Sequence, residues 1–233
     1  MPCSMAPPKR SIHYKIKMPA MKYHSLIFDL DGTLTDPVVG IVRCMNYALT
    51  MFDHPPRAEH EITPYIGPPL EIALQELSGS DDESYIKRLM ATYRERYSEF
   101  GYAENTVYDG IYEMLKSFRE QEIPMGVCTS KFGKYAVKIL EEFNLIDFFR
   151  FVSGGDYNVR KQDQLAELLQ SKTIQTDSLM IGDREIDLSA ARNNGLAGAG
   201  VLWGYGSEQE LRAENPAFLF KSPDELIRDL SVG

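Results

Sequence analysis

Hydrophobic positions along the chain follow two rhythms. Six short apolar runs, "HSLIFD", "IPMGVCT", "RFVSG", "SLMIG", "GAGVLW" and "AFLF", read as strands, and several are continuous rather than alternating, as expected of strands covered on both faces. Between them apolar residues recur at helical spacing: Ile111, Leu115 and Phe118, then Ala136, Ile139, Leu140 and Phe143, then Leu165, Leu168 and Leu169. Near the end, Ser222 reads as an N-cap, with Pro223 at the first helical position and Glu225 closing a capping box. Strand alternating with helix predicts an α/β fold with a doubly wound, Rossmann-like parallel sheet.

The alternation lapses from about Pro37 to Val107. "PVVGIVRCMNYALTMF", "PPLEIALQEL" and "DDESYIKRLMATYRERYSEF" carry helical patterns, and "DHPPRAE", "ITPYIGPP" and "SGSDD" mark turns. The expected organisation is an α/β core from 21–36 and 108–233, with a helical-bundle cap inserted at 37–107. Residues 1–20 contain Lys9, Arg10, Lys15 and Lys17, several prolines and no acid. They lack the continuous apolar region of a secretory signal and read as a disordered tail or as an upstream start ahead of Met21.

Composition narrows the function classes. A net charge of −9 over 233 residues argues against general binding to nucleic acid or to a membrane surface. No run approaches the eighteen apolar residues of a membrane span. Cys3, Cys44 and Cys128 are far apart and in no metal-binding spacing, so a reducing, cytoplasmic setting is the expectation. The sequence carries no signal for oligomeric state.

The chemistry begins with "SLIFDLDGTLTD", where three aspartates follow an apolar strand directly. Asp-Gly between apolar runs is a hairpin signal, but Asp36-Pro37 opens a helix where the hairpin needs a second strand. Asp29 and Asp31, two apart, leave the carboxyl end of the strand on one side, where ligands bind in open parallel sheets. Two carboxylates so close repel unless a divalent cation neutralises them or one keeps its proton. Magnesium takes one or two carboxylates together with water and phosphate oxygens, which points to phosphoryl transfer.

Three further groups stand at strand ends. Thr129, Ser130 and Lys131 end the "MGVCTSK" run, where a hydroxyl and free amides suit a phosphate. Lys161 opens a helix, an electrostatically uphill position for a lysine, with Arg160 as a competitor for any role. Asp183 follows "LMIG", and Asp187 lies one helical turn on, on the same face. Each also has a plain structural reading, as N-cap or surface charge; their order along the chain is what makes them a set.

The set Asp29-Leu30-Asp31-Gly32-Thr33, Thr129, Lys161 and Gly182-Asp183 with Asp187 resembles the four signature motifs of the haloacid dehalogenase superfamily, over residues 22–230. The third motif departs from the frequent Lys-Pro, since Gln162 follows Lys161. "YIGPPL" and "VLWGYGSEQEL" are similar to segments of the phosphoglycolate phosphatase and nucleotidase branch. The resemblance implies Asp29 as nucleophile and Asp31 as acid/base. It also implies magnesium (Mg2+) held by Asp29, the Asp31 carbonyl and Asp183, with Thr129 and Lys161 on the phosphoryl group and Asp187 behind Lys161 or the metal's water; Ser130, beside Thr129, is a further candidate for substrate binding. It further implies a first strand lying between those that carry motifs two and four. The expected substrate is a small phosphate ester, first 2-phosphoglycolate, then a nucleotide or pyrophosphate. A phosphomutase and a silent binding module are the rival classes. Arg43 and Asn46, Tyr65 to Pro68, and Lys131 are the candidates for contact with the leaving group, each also readable as surface charge, polar helix face or turn residue.

Overall fold

The computed structural model describes residues 23–157 and 159–231. The expectation for residues 1–20 lies outside them. All six apolar runs form strands. They are β1 (Leu26–Phe28), β4 (Met125–Phe132), β5 (Val152–Gly155), β6 (Leu179–Gly182), β7 (Ala197–Val201) and β8 (Phe218–Phe220), counting in between a two-residue pair, β2 (Thr35–Asp36) and β3 (Thr106–Val107). The main sheet has the order β5-β4-β1-β6-β7-β8 and is parallel throughout. Phe28 lies opposite Val127 on one side and Ile181 on the other. In this register Asp29 follows level with Cys128 and Gly182, so Asp29, Thr129 and Asp183 fall within one residue of the same level, although β4 itself runs on to Phe132.

Residues of opposite parity explain why the runs are continuously apolar. Leu26, Phe28, Met125, Val127, Leu179 and Ile181 face one buried cluster with α5 (Ile111–Glu120), α6 (Gly133–Glu142) and α10 (Pro223–Leu230). Ile27, Cys128 and Met180 face another, with α7 (Lys161–Gln170) and α8 (Glu185–Asn193). Each strand residue is thus covered whichever way it points. A short α9 (Glu208–Ala213) follows β7.

Between β2 and β3 the chain is helical: α1 (Val38–Met51), a single turn α2 (Glu59–Ile62), α3 (Leu70–Ser78) and α4 (Glu83–Arg96), which runs on as a π turn over Tyr97–Gly101. Ile41, Met45, Leu49, Leu74, Leu89 and Met90 build a separate apolar core, to which α6 contributes Tyr135. The Asp-Pro signal falls one residue early: Pro37 is the N-cap of α1 and Val38 its first residue, and the Asp36 carboxylate accepts the Val38 N–H at 3.0 Å.

The structure adds what the periodicity could not carry. The antiparallel β2–β3 ribbon pairs Thr35 with Val107, bringing the entry and exit of the helical segment together. Two residues are too few to show a period. At α10, the Ser222 side chain makes no capping bond, and Glu225 accepts the Lys221 N–H at 2.8 Å instead. No helix among the described residues is long and apolar enough to cross a membrane.

Phe118 is fully buried where α5 packs on the sheet. Phe118→Ala is expected to cost about 3–5 kcal/mol in denaturant unfolding. A loss under about 1 kcal/mol contradicts this packing.

Candidate active site

The carboxyl ends of β1, β4 and β6 gather the expected residues into one place. Asp29, Asp31, Thr129, Lys161, Asp183 and Asp187 are all buried, although four of the six are acids. Local geometry dictates the convergence. Gly32 has φ +84°, a conformation that strains any side chain, and a Cβ there would collide with the Asp183 carboxylate. The first loop thereby presses against the fourth.

Lys161 sits at the start of α7 between two carboxylates: its Nζ lies 3.0 Å from Asp29 Oδ1 and donates a hydrogen bond to Asp187 Oδ1. Burial lowers the lysine pKa, but Asp187 and Asp29 outweigh it, and the ammonium is held charged. Arg160, the competitor, pairs instead with Asp163 near the surface. Gln162 ties α7 to α8, its carbonyl accepting from Asn194 at 2.9 Å.

Asp183 accepts from the Thr33 hydroxyl at 3.1 Å and from Tyr205 N–H at 2.8 Å. Even so, burial, and then Asp187 and Asp29, push its pKa well above the carboxylate range. Asp187 accepts Arg184 N–H at 3.0 Å and is raised by burial against the pull of Lys161. One carboxylate oxygen from each of Asp29, Asp183 and Asp187 falls within 4.8 Å of the others. Three acids against one ammonium leave an excess of buried negative charge, and Asp29 Oδ1 has no aligned hydrogen-bond donor among the described residues. This donor set of hard oxygens fits a divalent cation. The Asp31 carboxylate is not in the cluster.

Asp31 turns its Oδ2 to Lys131 Nζ at 2.5 Å, and Lys131 also donates to the Tyr97 hydroxyl at 2.8 Å. Burial raises the Asp31 pKa, opposed by Lys131 and reinforced by Asp29. Thr129 is oriented from behind by Gln164, whose amide donates to the Thr129 carbonyl at 3.1 Å. Ser130, Lys131, Phe132, Tyr65, Gly67, Pro68, Tyr93, Arg94, Tyr97 and Tyr135 line the cleft above Asp29 and Asp31.

Arg43 is a correction. Its guanidinium binds Glu104 at 2.7 Å on the outer surface, with more than half of the side chain exposed, and it is not among the cleft-lining residues. Asn46 likewise spends its amide on the backbone of Arg57. The face of α1 that meets the cleft is the apolar one, Ile41 and Met45. From the helical segment the cation lining the cleft, among the described residues, is Arg94, laid 4.7 Å over the Phe132 ring.

Other contributors carried only faint signals. Trp203 donates to the Thr33 carbonyl at 3.0 Å, Tyr205 N–H holds Asp183, and the Tyr205 hydroxyl donates to Asp36. All belong to "WGYG", an aromatic-glycine segment after β7 whose close approach to the first loop is a clue that spacing alone does not decode.

Comparison with known proteins agrees with this geometry. The haloacid dehalogenase-like hydrolase family model matches residues 26–201. The chain is 39% identical to a 5'-nucleotidase of Pseudomonas aeruginosa, over 84% of its own length and 90% of the relative's. It is 29% identical to a phosphoglycolate phosphatase of Vibrio parahaemolyticus, over 89% and 96%. The crystal structure of a predicted phosphatase from Clostridium acetobutylicum superposes with a TM-score of 0.83 at 34% identity, covering 88% of this chain and 97% of that one. With its parallel sheet, its convergent acids and these relatives, the chain belongs to the haloacid dehalogenase-like hydrolases and is a phosphatase of that family.

Proposed function

We propose that the protein hydrolyses a small phosphate monoester through an aspartyl-phosphate on Asp29, and that 2-phosphoglycolate is the substrate the site suits best. The observation that carries this reading is the meeting of Asp29 and Asp183, at the carboxyl ends of β1 and β6, with Lys161 at the start of α7.

Asp29 attacks phosphorus, and the ester oxygen departs with the proton of Asp31. Asp31, now a carboxylate, takes a proton from water as that water attacks the acyl phosphate, releasing phosphate and restoring both acids. Lys161 and the Thr129 hydroxyl hold phosphoryl oxygens, where most of the charge of the transition state resides. Asp29, Asp183 and the backbone carbonyl of Asp31 would hold magnesium, which when bound offsets phosphoryl charge; Asp187 serves by fixing Lys161. In the division into a core of 21–36 and 108–233 and a cap of 37–107, the helical segment closes over the cleft and excludes water.

Lys131 supports the choice of leaving group. Its ammonium stands beside Asp31, and hence beside the departing oxygen, which suits a carboxylate near the ester bond. The rings of Tyr65, Tyr93, Tyr97, Phe132 and Tyr135 around the cleft favour a second reading, a nucleoside 5'-monophosphate.

The test is phosphate release from 2-phosphoglycolate, nucleotides, pyrophosphate and sugar phosphates, with and without magnesium. The expected outcome is magnesium-dependent release with the highest kcat/KM for 2-phosphoglycolate. Asp29→Asn is expected to abolish it with an unchanged circular dichroism spectrum. Wild-type-like turnover by Asp29→Asn contradicts the covalent route; an isomerised sugar phosphate in place of free phosphate identifies a mutase.

The raised pKa of Asp31 gives a pH dependence. The acid works in its protonated form, which is present below that pKa and lost above it. For an alkyl phosphate, kcat is therefore expected to fall on the alkaline side. A kcat that climbs steadily with pH contradicts the role of Asp31 as acid.

A further inference from the structure

Arg184 lies between two members of the acidic cluster, yet the chemistry above leaves its side chain without a role. The guanidinium is mostly buried and points away from the sheet, toward the inserted helical segment. Its Nη1 donates to the Pro64 carbonyl at 3.0 Å and to the Ile66 carbonyl at 2.6 Å, while Nε donates to Glu210 Oε1 at 2.8 Å. The same Glu210 oxygen accepts Glu185 N–H at 2.9 Å, so the carboxylate that orients the arginine is itself anchored at the start of α8.

The segment that receives these bonds is the wall of the cleft. Tyr65, Gly67, Pro68, Pro69 and Leu70 all line it. Gly67 has φ +107°, and a Cβ there would stand 2.8 Å from Arg184 Cγ, so the loop backbone passes directly over the arginine stem. Arg184 also faces the reaction side through its own N–H, which binds Asp187 Oδ2 at 3.0 Å; the other oxygen of Asp187 holds Lys161. One residue thus joins the leaving-group wall to the lysine of the phosphate site. A planar fork that spans two carbonyls and a carboxylate is a geometry lysine does not supply. On the opposite side of the cleft, α4 and its π turn have their own ties to the core, from Lys131 to Tyr97 and from the Tyr135 hydroxyl to the Arg94 carbonyl.

We infer that Arg184 is a positioning residue: it latches the 64–70 loop over the cleft and sets that wall at a fixed distance from the phosphate site, with Glu210 and Gly67 as its required partners. The inference rests on the phosphatase reading for its kinetic consequence, but not for its structural one.

Arg184→Met keeps the length of the stem and the backbone N–H and removes every side-chain donor; Gly67→Ala attacks the same contact from the loop. The full chain is compared by amide hydrogen exchange and by steady-state kinetics. In either variant, exchange across 63–70 is expected to quicken by about tenfold. KM for the preferred ester rises by about tenfold, kcat stays within about threefold, and inhibition by inorganic phosphate, which touches only the phosphate site, is unchanged. The double variant adds little to either single one. Unchanged exchange across 63–70 in both variants overturns the latch. So does a KM rise matched by an equal weakening of inhibition by phosphate, since the arginine would then act on Asp187 and Lys161 alone. If wild type releases phosphate from no ester, the phosphatase reading fails, while the exchange comparison still decides the latch.

Discussion

Everything in this protein is arranged around a cost, the burial of Asp29, Asp183 and Asp187 beside a single Lys161. Charges removed from water are tolerated only with opposite charge and hydrogen bonds in compensation. Lys161 supplies part of the charge. The Thr33 hydroxyl and the N–H groups of Arg184 and Tyr205 supply donors, drawn from the first loop, the fourth motif and the segment after β7. The remaining negative charge is what makes the site a receptor for a cation and, with it, for a phosphoryl group.

That requirement reaches outward into the fold. Parallel pairing of β1 with β4 and β6 brings Asp29, Thr129 and Asp183 to within one residue of the same level. Gly32 allows the first loop to touch Asp183, and Gln164, buried one turn beyond Lys161, steadies the Thr129 carbonyl. The β2–β3 ribbon then lets a whole helical unit leave and re-enter the core at one point, and Arg184 ties the far end of that unit back to the acidic cluster. The cleft consequently takes its apolar wall from the separate core of the helical segment and its polar floor from the ends of the sheet strands.

Much of this was legible in the sequence, for reasons that differ by element. The central strands announced themselves because burial on both faces leaves no polar position, as in Leu26-Ile27-Phe28, and the flanking ones because their short apolar runs stand between helical patterns. Asp29, Thr129, Lys161 and Asp183 were legible because each ends or opens an element where a charged or hydroxyl side chain is out of pattern. Arg43 misled because a helix pattern shows which residues are polar but not which way the polar face turns; the partner that takes it, Glu104, is sixty-one residues away. Arg184 and Tyr205 escaped assignment for the complementary reason. Each is an ordinary residue in an ordinary place until tertiary contact gives it the Ile66 carbonyl or Asp183. Lys131 stood out at its strand end, but no local pattern pairs it with Asp31, a hundred residues earlier in the chain.

The most direct test of the acidic cluster asks whether it is a cation receptor at all, and needs no substrate. Thermal unfolding is followed at fixed pH while magnesium is added to wild type and to Asp183→Asn. A cation bound only by the folded state at a hundredfold excess over its Kd stabilises by ~2.7 kcal/mol. Wild type should therefore gain several degrees in Tm, and Asp183→Asn should lose most of that gain. A wild-type Tm indifferent to magnesium, or an equal gain in Asp183→Asn, would contradict the account.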